Sequence, residues 1–338
     1  MDGYGGTILR INLTDKTIKK EPTDPDIMEK FLGGRGFGIY TLYTEVPQGT
    51  DPLGPENKLI ASTGPLSGTL VPGAGKMDWT TKSPLTGGYA SSSVGGMLTA
   101  ELKQAGYDSI ILEGASEQPV YIFIDDDVVE IRDASPYWGM GCISLEKKLK
   151  DELGEEFQIA CIGPGGESLV KYACISHDWG RQAGRGGVGA VMGSKKVKAI
   201  AVRGTKDIPL ADVEGLIKHG RALFKACKDA PAMEAWQRYG TTSVVSWCDE
   251  NGALPTRNFQ AGAFEEGKNL YGEVMRQAIV KTDKGCFGCP SPCGKYSYSK
   301  KHNLYVEGPE YETIAPVSYT HLRAHETSLH LVCRLLLE

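Results

Sequence analysis

Apolar and polar positions alternate with period two along Thr7-Ile8-Leu9-Arg10-Ile11-Asn12-Leu13, which predicts a half-buried strand. A turn through Thr14-Asp15-Lys16 leads to a second short strand at Ile18. Asp24-Pro25 has the form of an N-cap and first helical residue, and Gly33-Gly34 closes that helix. The pattern then predicts a buried strand over 58–63, a short helix over 99–105 and a strand over 109–112. A hairpin of 120–124 and 128–131 turns at Asp125-Asp126-Asp127. A helix over 143–153 and strands over 158–162 and 197–202 follow. Beyond Ile208 the spacing becomes helical over 213–227 and 232–239, and the remainder to Glu312 reads as mixed helix and loop. The expected fold class is α+β: a β-rich N-terminal domain over residues 1–207, then the start of a mainly helical domain over residues 208–316.

Composition sharpens this picture in three places. The chain has 338 residues, enough for two domains, and 43 glycines, close to twice the usual share of roughly 7%. Glycine at that density outside a collagen repeat implies tight turns, or backbone that must approach a ligand closely. The net charge of −5 argues against a nucleic-acid or anionic-membrane partner. Nothing at the N-terminus resembles a signal peptide, and no apolar run reaches membrane-spanning length. A reducing, cytoplasmic setting is therefore expected for the nine cysteines. The end of the chain, residues 317–338, stands apart. It resembles a translated sequencing-library adapter, and it carries three of the six histidines, which are therefore set aside as metal ligands.

The most specific chemical signal is Cys286-Phe287-Gly288-Cys289-Pro290-Ser291-Pro292-Cys293. Its Cys-x2-Cys-x3-Cys spacing places three soft thiolates in one loop that glycine and proline keep out of helix and strand. An iron–sulfur cluster is the first reading, a zinc site the second and plain structural thiols the third. His302 lies outside the usual Cys–His spacing, and Cys248 is a remote candidate for a fourth sulfur. Cys142, Cys161, Cys174 and Cys227 read as core residues.

Three glycine-rich stretches could face an anion. Gly184-Arg185-Gly186-Gly187-Val188-Gly189 matches Gly-x-Gly-x-x-Gly, but the polar stretch before it is not the strand that a dinucleotide site requires. Two readings remain: a phosphate nest flanked by Arg181 and Arg185, or a small-residue helix packed tightly on a sheet. Pro72-Gly73-Ala74-Gly75-Lys76 resembles a phosphate-facing turn, and Ser91-Ser92-Ser93-Val94-Gly95-Gly96 offers hydroxyls and free amides. Near the end, Glu307-Gly308-Pro309-Glu310-Tyr311-Glu312 gathers carboxylates that could act as general acid or base, or form a solvated acidic loop.

These stretches stand in one collinear order with Pro55-Glu56-Asn57-Lys58-Leu59-Ile60, Thr81-Lys82-Ser83-Pro84-Leu85-Thr86-Gly87 and Ala100-Glu101-Leu102-Lys103-Gln104-Ala105-Gly106-Tyr107-Asp108. Together they resemble the aldehyde:ferredoxin oxidoreductase family of tungsten or molybdenum bis-pterin enzymes, over residues 1–316. The resemblance implies a β-rich base carrying the cofactor. It also implies that pterin phosphates and a bridging magnesium are contacted at Lys76, Ser93, Gly95, Arg181, Gln182 and Gly184. Well-known members have arginine at the position of Lys76 and asparagine at that of Ser93; lysine keeps the charge and loses the two-pronged fork. Cys286, Cys289 and Cys293 match three of four [4Fe–4S] ligands. The fourth ligand, the family's other pterin-binding motifs and its active-site histidine belong to a region that this sequence lacks. Glu312, with Glu310 as the lesser candidate, matches a carboxylate near the metal. The implied reaction is oxidation of a small aldehyde to a carboxylic acid, with electrons passing through the cluster to ferredoxin; a homodimer is implied by resemblance alone. Two alternatives stand beside it: a ring-reducing aryl-CoA (benzoyl-CoA type) reductase subunit of the same architecture, and an inactive truncated fragment, poorly soluble and low in tungsten.

Overall fold

The computed structural model describes residues 1–257, 259–300 and 303–314. The adapter-like tail and His302 lie outside the described residues. Two six-stranded sheets and one three-stranded sheet carry the fold.

The first sheet comprises β1 (Thr7–Asn12), β2 (Thr17–Pro22), β3 (Leu59–Ser62), β4 (Met77–Lys82), β5 (Tyr89–Val94) and β6 (Tyr107–Glu113), in the order β2-β1-β6-β3-β4-β5. Only β1 and β6 run parallel in it. The second sheet comprises β7 (Val120–Asp125), β8 (Val128–Asp133), β9 (Gln158–Cys161), β10 (Ile175–His177), β11 (Arg181–Ala183) and β12 (Val197–Arg203), in the order β11-β10-β9-β12-β7-β8. One apolar cluster joins the two sheets: Leu9, Ile11, Leu59, Trp79 and Ile110 from the first meet Ile122, Ile124, Val197, Ile200 and Val202 from the second. Burying that shared face is what makes the first 203 residues a unit.

Helices connect and cover the sheets. They are α1 (Pro25–Phe31), α2 (Arg35–Glu45), α3 (Leu98–Gln104), α4 (Cys142–Leu153), α5 (Pro164–Glu167) and α6 (Val188–Ser194). Asp24 caps α1 through the amide of Asp26, as its sequence predicts. The glycine-rich run resolves toward packing. α6 is buried along almost its whole length, and a methyl group on Gly193 would lie 1.9 Å from the Gly166 carbonyl oxygen. Small residues there serve close approach of helix and backbone.

The later part holds α7 (Val213–Asp229), α8 (Met233–Tyr239), α9 (Val245–Glu250) and α10 (Gly272–Ala278). Then come the antiparallel strands β13 (Val280–Lys284), β14 (Gly294–Ser299) and β15 (Leu304–Glu307), and finally α11 (Tyr311–Ile314). α7 buries only Gly220 and leaves Val213, Ile217, Leu223 and Phe224 exposed. No helix among the described residues is long and apolar enough to cross a membrane.

The third sheet corrects the expectation of helix and loop beyond residue 240. Along β14 the usual alternation is inverted: Lys295, Ser297 and Ser299 point inward, while Tyr296 and Tyr298 stack outward on Tyr305. The buried Lys295 ammonium donates to the Gln237 and Pro292 carbonyls and pairs with Asp283. A hydrophobic-period reading cannot see a strand whose inner face is polar and satisfied. Two smaller corrections concern serine and arginine. Ser91–Ser93 belong to β5 rather than to a loop, and the polar Arg181-Gln182-Ala183 stretch is the edge strand β11.

Candidate functional site

The cysteine loop joins β13 to β14 and is pressed onto the glycine-lined edge of the N-terminal unit. The Phe287 amide donates to the Gly96 carbonyl at 3.1 Å. A methyl group on Gly95 would lie 2.5 Å from the Cys286 sulfur, and one on Gly75 would lie 3.0 Å from the Phe287 nitrogen. Gly240, with φ 66, brings its backbone against the Cys293 carbonyl, where a methyl group would sit 2.1 Å away. These three glycine surfaces pack closely against the loop.

Arg181 on β11 stands at the centre of the charges here. Its guanidinium pairs with Glu307 at 2.7 Å and donates to the Lys284 carbonyl at 3.3 Å. Lys284 in turn pairs with Asp178 at 2.7 Å and with Glu307 at 3.2 Å. Burial raises the Glu307 carboxyl to about 7, although Arg181 and Lys284 pull it back. Burial also raises the Cys286 thiol, while the nearby Arg181 cation opposes that shift. Gln182 donates to Ser176 Oγ at 2.8 Å and leaves its Oε1 buried and unpartnered, as is Arg181 Nε. Gly184 is exposed just beyond β11, and the next amide, of Arg185, donates to Ser92 Oγ at 3.0 Å.

Lys76 and Ser93 sit a short way along the same face. Lys76 belongs to a cleft of about 460 Å³ whose lining includes Gly33, Gly34, Arg35, Ser67 and Asp78. Ser93 is exposed beside it and donates to Asp78. Glu310 is held by a hydrogen bond from Thr241 Oγ1, and burial pushes its carboxyl upward. Glu312 is exposed in the first turn of α11. Gly95, Arg181 and the cysteine loop thus share one neighbourhood, with Glu310 within reach of the Arg181 field.

Sequence reasoning missed Arg35, Asp78, His177, Asp178 and Lys284. In sequence the Gly33-Gly34 pair marks the end of one helix, whereas in the structure it also opens α2 and delivers Arg35. His177 gave no signal, because a lone histidine in a short strand reads as core. Its ring is buried with both nitrogens unpartnered, and burial lowers it to about 4.

Glu146 adds a pH dependence. Its Oε2 accepts the Trp179 amide at 2.8 Å, its Oε1 is buried without a partner, and burial raises the carboxyl to about 7. A raised carboxyl favours the folded state most below its ordinary value of 4.5, and that contribution is lost as pH rises through 7. His177 works in the opposite sense, losing stability as pH falls from 6.5 toward 4, so the wild-type profile is partly cancelled. Glu146→Gln is therefore expected to match wild type near pH 4.5 and exceed it by up to roughly 3 kcal/mol above pH 7. Urea denaturation of both proteins across that range measures the difference; a constant gap would show that Glu146 does not titrate as described.

Two family models match the chain. One, described as aldehyde ferredoxin oxidoreductase, N-terminal domain, covers residues 8–204. The other, aldehyde ferredoxin oxidoreductase, domains 2 & 3, covers residues 218–322. The chain belongs to the aldehyde ferredoxin oxidoreductase family. Among its relatives, the tungsten-containing aldehyde ferredoxin oxidoreductase of Pyrococcus abyssi is 49% identical over 315 residues, covering 93% of this chain and 52% of the relative. The Pyrococcus furiosus protein of the same name is 45% identical over 316 residues, with the same coverages. The solved active-site complex BamBC of benzoyl coenzyme A reductase, bound to 1,5-dienoyl-CoA, superposes with a TM-score of 0.85 at 32% identity. It covers 99% of this chain and 52% of its own. The chain spans about half the length of the curated relatives that it matches. These relatives are named as oxidoreductases.

Whether the chain's residues fit the family's groups can be tested on its own geometry. Gly75, Gly95 and Gly96 form a cradle that the chain's own Phe287, Cys286 and His177 fill. The buried, unpartnered Arg181 Nε is a donor that suits an anionic group, whereas the unpartnered Gln182 Oε1 is an acceptor that suits a cation. The loop's donor set is three thiols, which suits iron. Among the described residues no three His, Cys, Asp or Glu side chains converge tightly enough to hold a metal ion in this arrangement. The chemistry of the loop fits a cluster, and its sulfurs stand apart.

Proposed function

We propose that the chain is the cofactor-binding part of a tungsten-pterin oxidoreductase that oxidises an aldehyde to a carboxylic acid. The observation that carries this reading is the docking of the cysteine loop onto the glycine cradle, with Gly95 against the Cys286 sulfur and Arg181 alongside. That contact supports a reading in which an electron relay and an anion seat lie side by side, which a structural zinc loop has no need of.

The net reaction takes an aldehyde and water to an acid, two protons and two electrons. When bound, a tungsten (or molybdenum) bis-pterin supplies the two-electron redox chemistry, and a [4Fe–4S] cluster passes electrons singly to ferredoxin. The chain's own work is anchoring and proton handling. Lys76, Ser93, Gly95, Arg181, Gln182 and Gly184 would hold the cofactor's phosphates and their magnesium, and Cys286, Cys289 and Cys293 would hold the cluster. Glu310 keeps a carboxyl that burial raises above its ordinary value and that Thr241 orients, so it takes up a proton more readily than a free carboxylate. Glu312, exposed in this structure, is the second site at which water can be activated or a proton relayed.

The likeness to the benzoyl coenzyme A reductase complex supports a second reading, in which the same site delivers electrons to an aryl-CoA thioester. A polypeptide extended to the relatives' full length, produced with tungstate, separates the two. Tungsten, molybdenum, iron and zinc are counted per chain, and dye reduction is followed with an aldehyde series. The expected result is tungsten with iron, and aldehyde-dependent dye reduction. Inertness toward every aldehyde, coupled with turnover of aryl-CoA thioesters, would decide for the second reading; zinc in place of iron would remove both.

A further inference from the structure

The cleft beside Lys76 holds a second cation that the phosphate set above leaves out. α2 starts at Gly34 because the chain bends sharply at Gly33, whose φ is 140 and where a methyl group would lie 2.6 Å from the Thr63 carbonyl oxygen. That bend brings Arg35 to the cleft. Its Nε donates to Ser91 Oγ at 3.0 Å and its Nη2 to Ser93 Oγ at 3.2 Å. Both hydroxyls in turn donate to Asp78 Oδ1, and the guanidinium itself stands 3.7 Å from that oxygen. The arginine is therefore aligned by neutral hydroxyls rather than locked in a close ion pair. Its side chain is 61% exposed, whereas that of Asp78 is 18% exposed.

Lys76 is exposed in the same cleft and makes no ion pair among the described residues. An ammonium is a point charge, whereas a guanidinium presents two parallel N–H groups that match the oxygens of a phosphoryl group. Two cations against one carboxylate leave the cleft net positive. We propose that Arg35 is the two-pronged anchor for a phosphoryl group in this cleft. Lys76 supplies the second charge, and Asp78 with the two serines holds the guanidinium ready. The inference rests on the reading that this cleft receives the cofactor's phosphates, and it names the residue that grips them.

The test uses the 338-residue chain without cofactor and inorganic pyrophosphate as the probe, titrated by calorimetry at low salt. Far-UV circular dichroism and melting check that each variant is folded. Arg35→Gln is expected to weaken pyrophosphate binding about tenfold, and Arg35→Lys, which keeps the charge, to restore little of it. Lys76→Gln is expected to cost less than Arg35→Gln. Wild-type affinity in Arg35→Gln, with binding lost in Lys76→Gln, would overturn the role of Arg35 and leave the phosphate cleft standing. Full recovery in Arg35→Lys would also overturn it, since a single charge would then suffice. Absence of pyrophosphate binding by the wild-type chain would remove the phosphate reading of the cleft, and Arg35 with it.

Discussion

Cys286→Ala is expected to abolish the broad visible absorbance of an iron–sulfur cluster after anaerobic reconstitution of the chain with ferrous iron, sulfide and a small thiol. The small thiol can occupy the corner that the loop's three cysteines leave over. Cys286 is the most demanding of the three because of where it sits: against Gly95, beneath an amide of its own loop bonded to Gly96, and beside the Arg181 cation. Burial disfavours its thiolate and Arg181 favours it, so iron must supply the remaining driving force for deprotonation. Iron per chain should fall to near background in Cys286→Ala and drop strongly in Cys289→Ala and Cys293→Ala. Cys248→Ala should retain it, because that sulfur lies in a separate apolar cluster with Val245 and Leu270 and accepts the Tyr311 hydroxyl at 3.6 Å. A Cys248→Ala protein that loses iron while Cys286→Ala keeps it would end the cluster assignment.

The second large effect concerns stability. Asp108 is fully buried with Lys103, their side chains 0% exposed and 2.5 Å apart. The same carboxylate accepts the amides of Gly5 and Gly6 at 2.8 Å each and the Thr23 hydroxyl at 2.9 Å. It therefore ties the N-terminal segment to β6. Asp108→Ala leaves a buried ammonium and three donors without a partner, and is expected to cost about 3–5 kcal/mol. Pairing it with Lys103→Met removes the stranded charge and should recover much of that loss, since the two residues are in contact. Urea midpoints of the two single variants and the double variant measure this coupling. A single variant within about 1 kcal/mol of wild type would show that the pair carries no weight.

Period-two alternation predicts β1, and short apolar runs with their turn signals predict β2, β3, β6, the β7–β8 hairpin, β9 and β12, because these strands put apolar side chains into the core around the two sheets. Capping residues and helical spacing located α1, α4, α7 and α8 in the same way. Among the elements that escaped, β5, β11 and β14 have polar faces. β14 buries Lys295 and two serines, β5 is a serine strand, and β11 carries Arg181 and Gln182. Their polar side chains make hydrogen bonds and ion pairs, some with remote residues such as Gln237 for Lys295 and Lys284 for Arg181, and a hydrophobic-period window records none of these.

The site divides along the same line. Cysteine spacing and the glycine-rich stretches were local patterns, and the family followed from their collinear order together with the matched segments between them. Distances of 103 to 126 residues along the chain separate Arg181 from Lys284 and Glu307, so their pairing belongs to the folded molecule. The same holds for the unpartnered His177 and for the hydroxyl-aligned Arg35. Short-range chemistry is written in neighbouring residues; the field around a buried charge is written only in which remote backbones and side chains the fold brings against it.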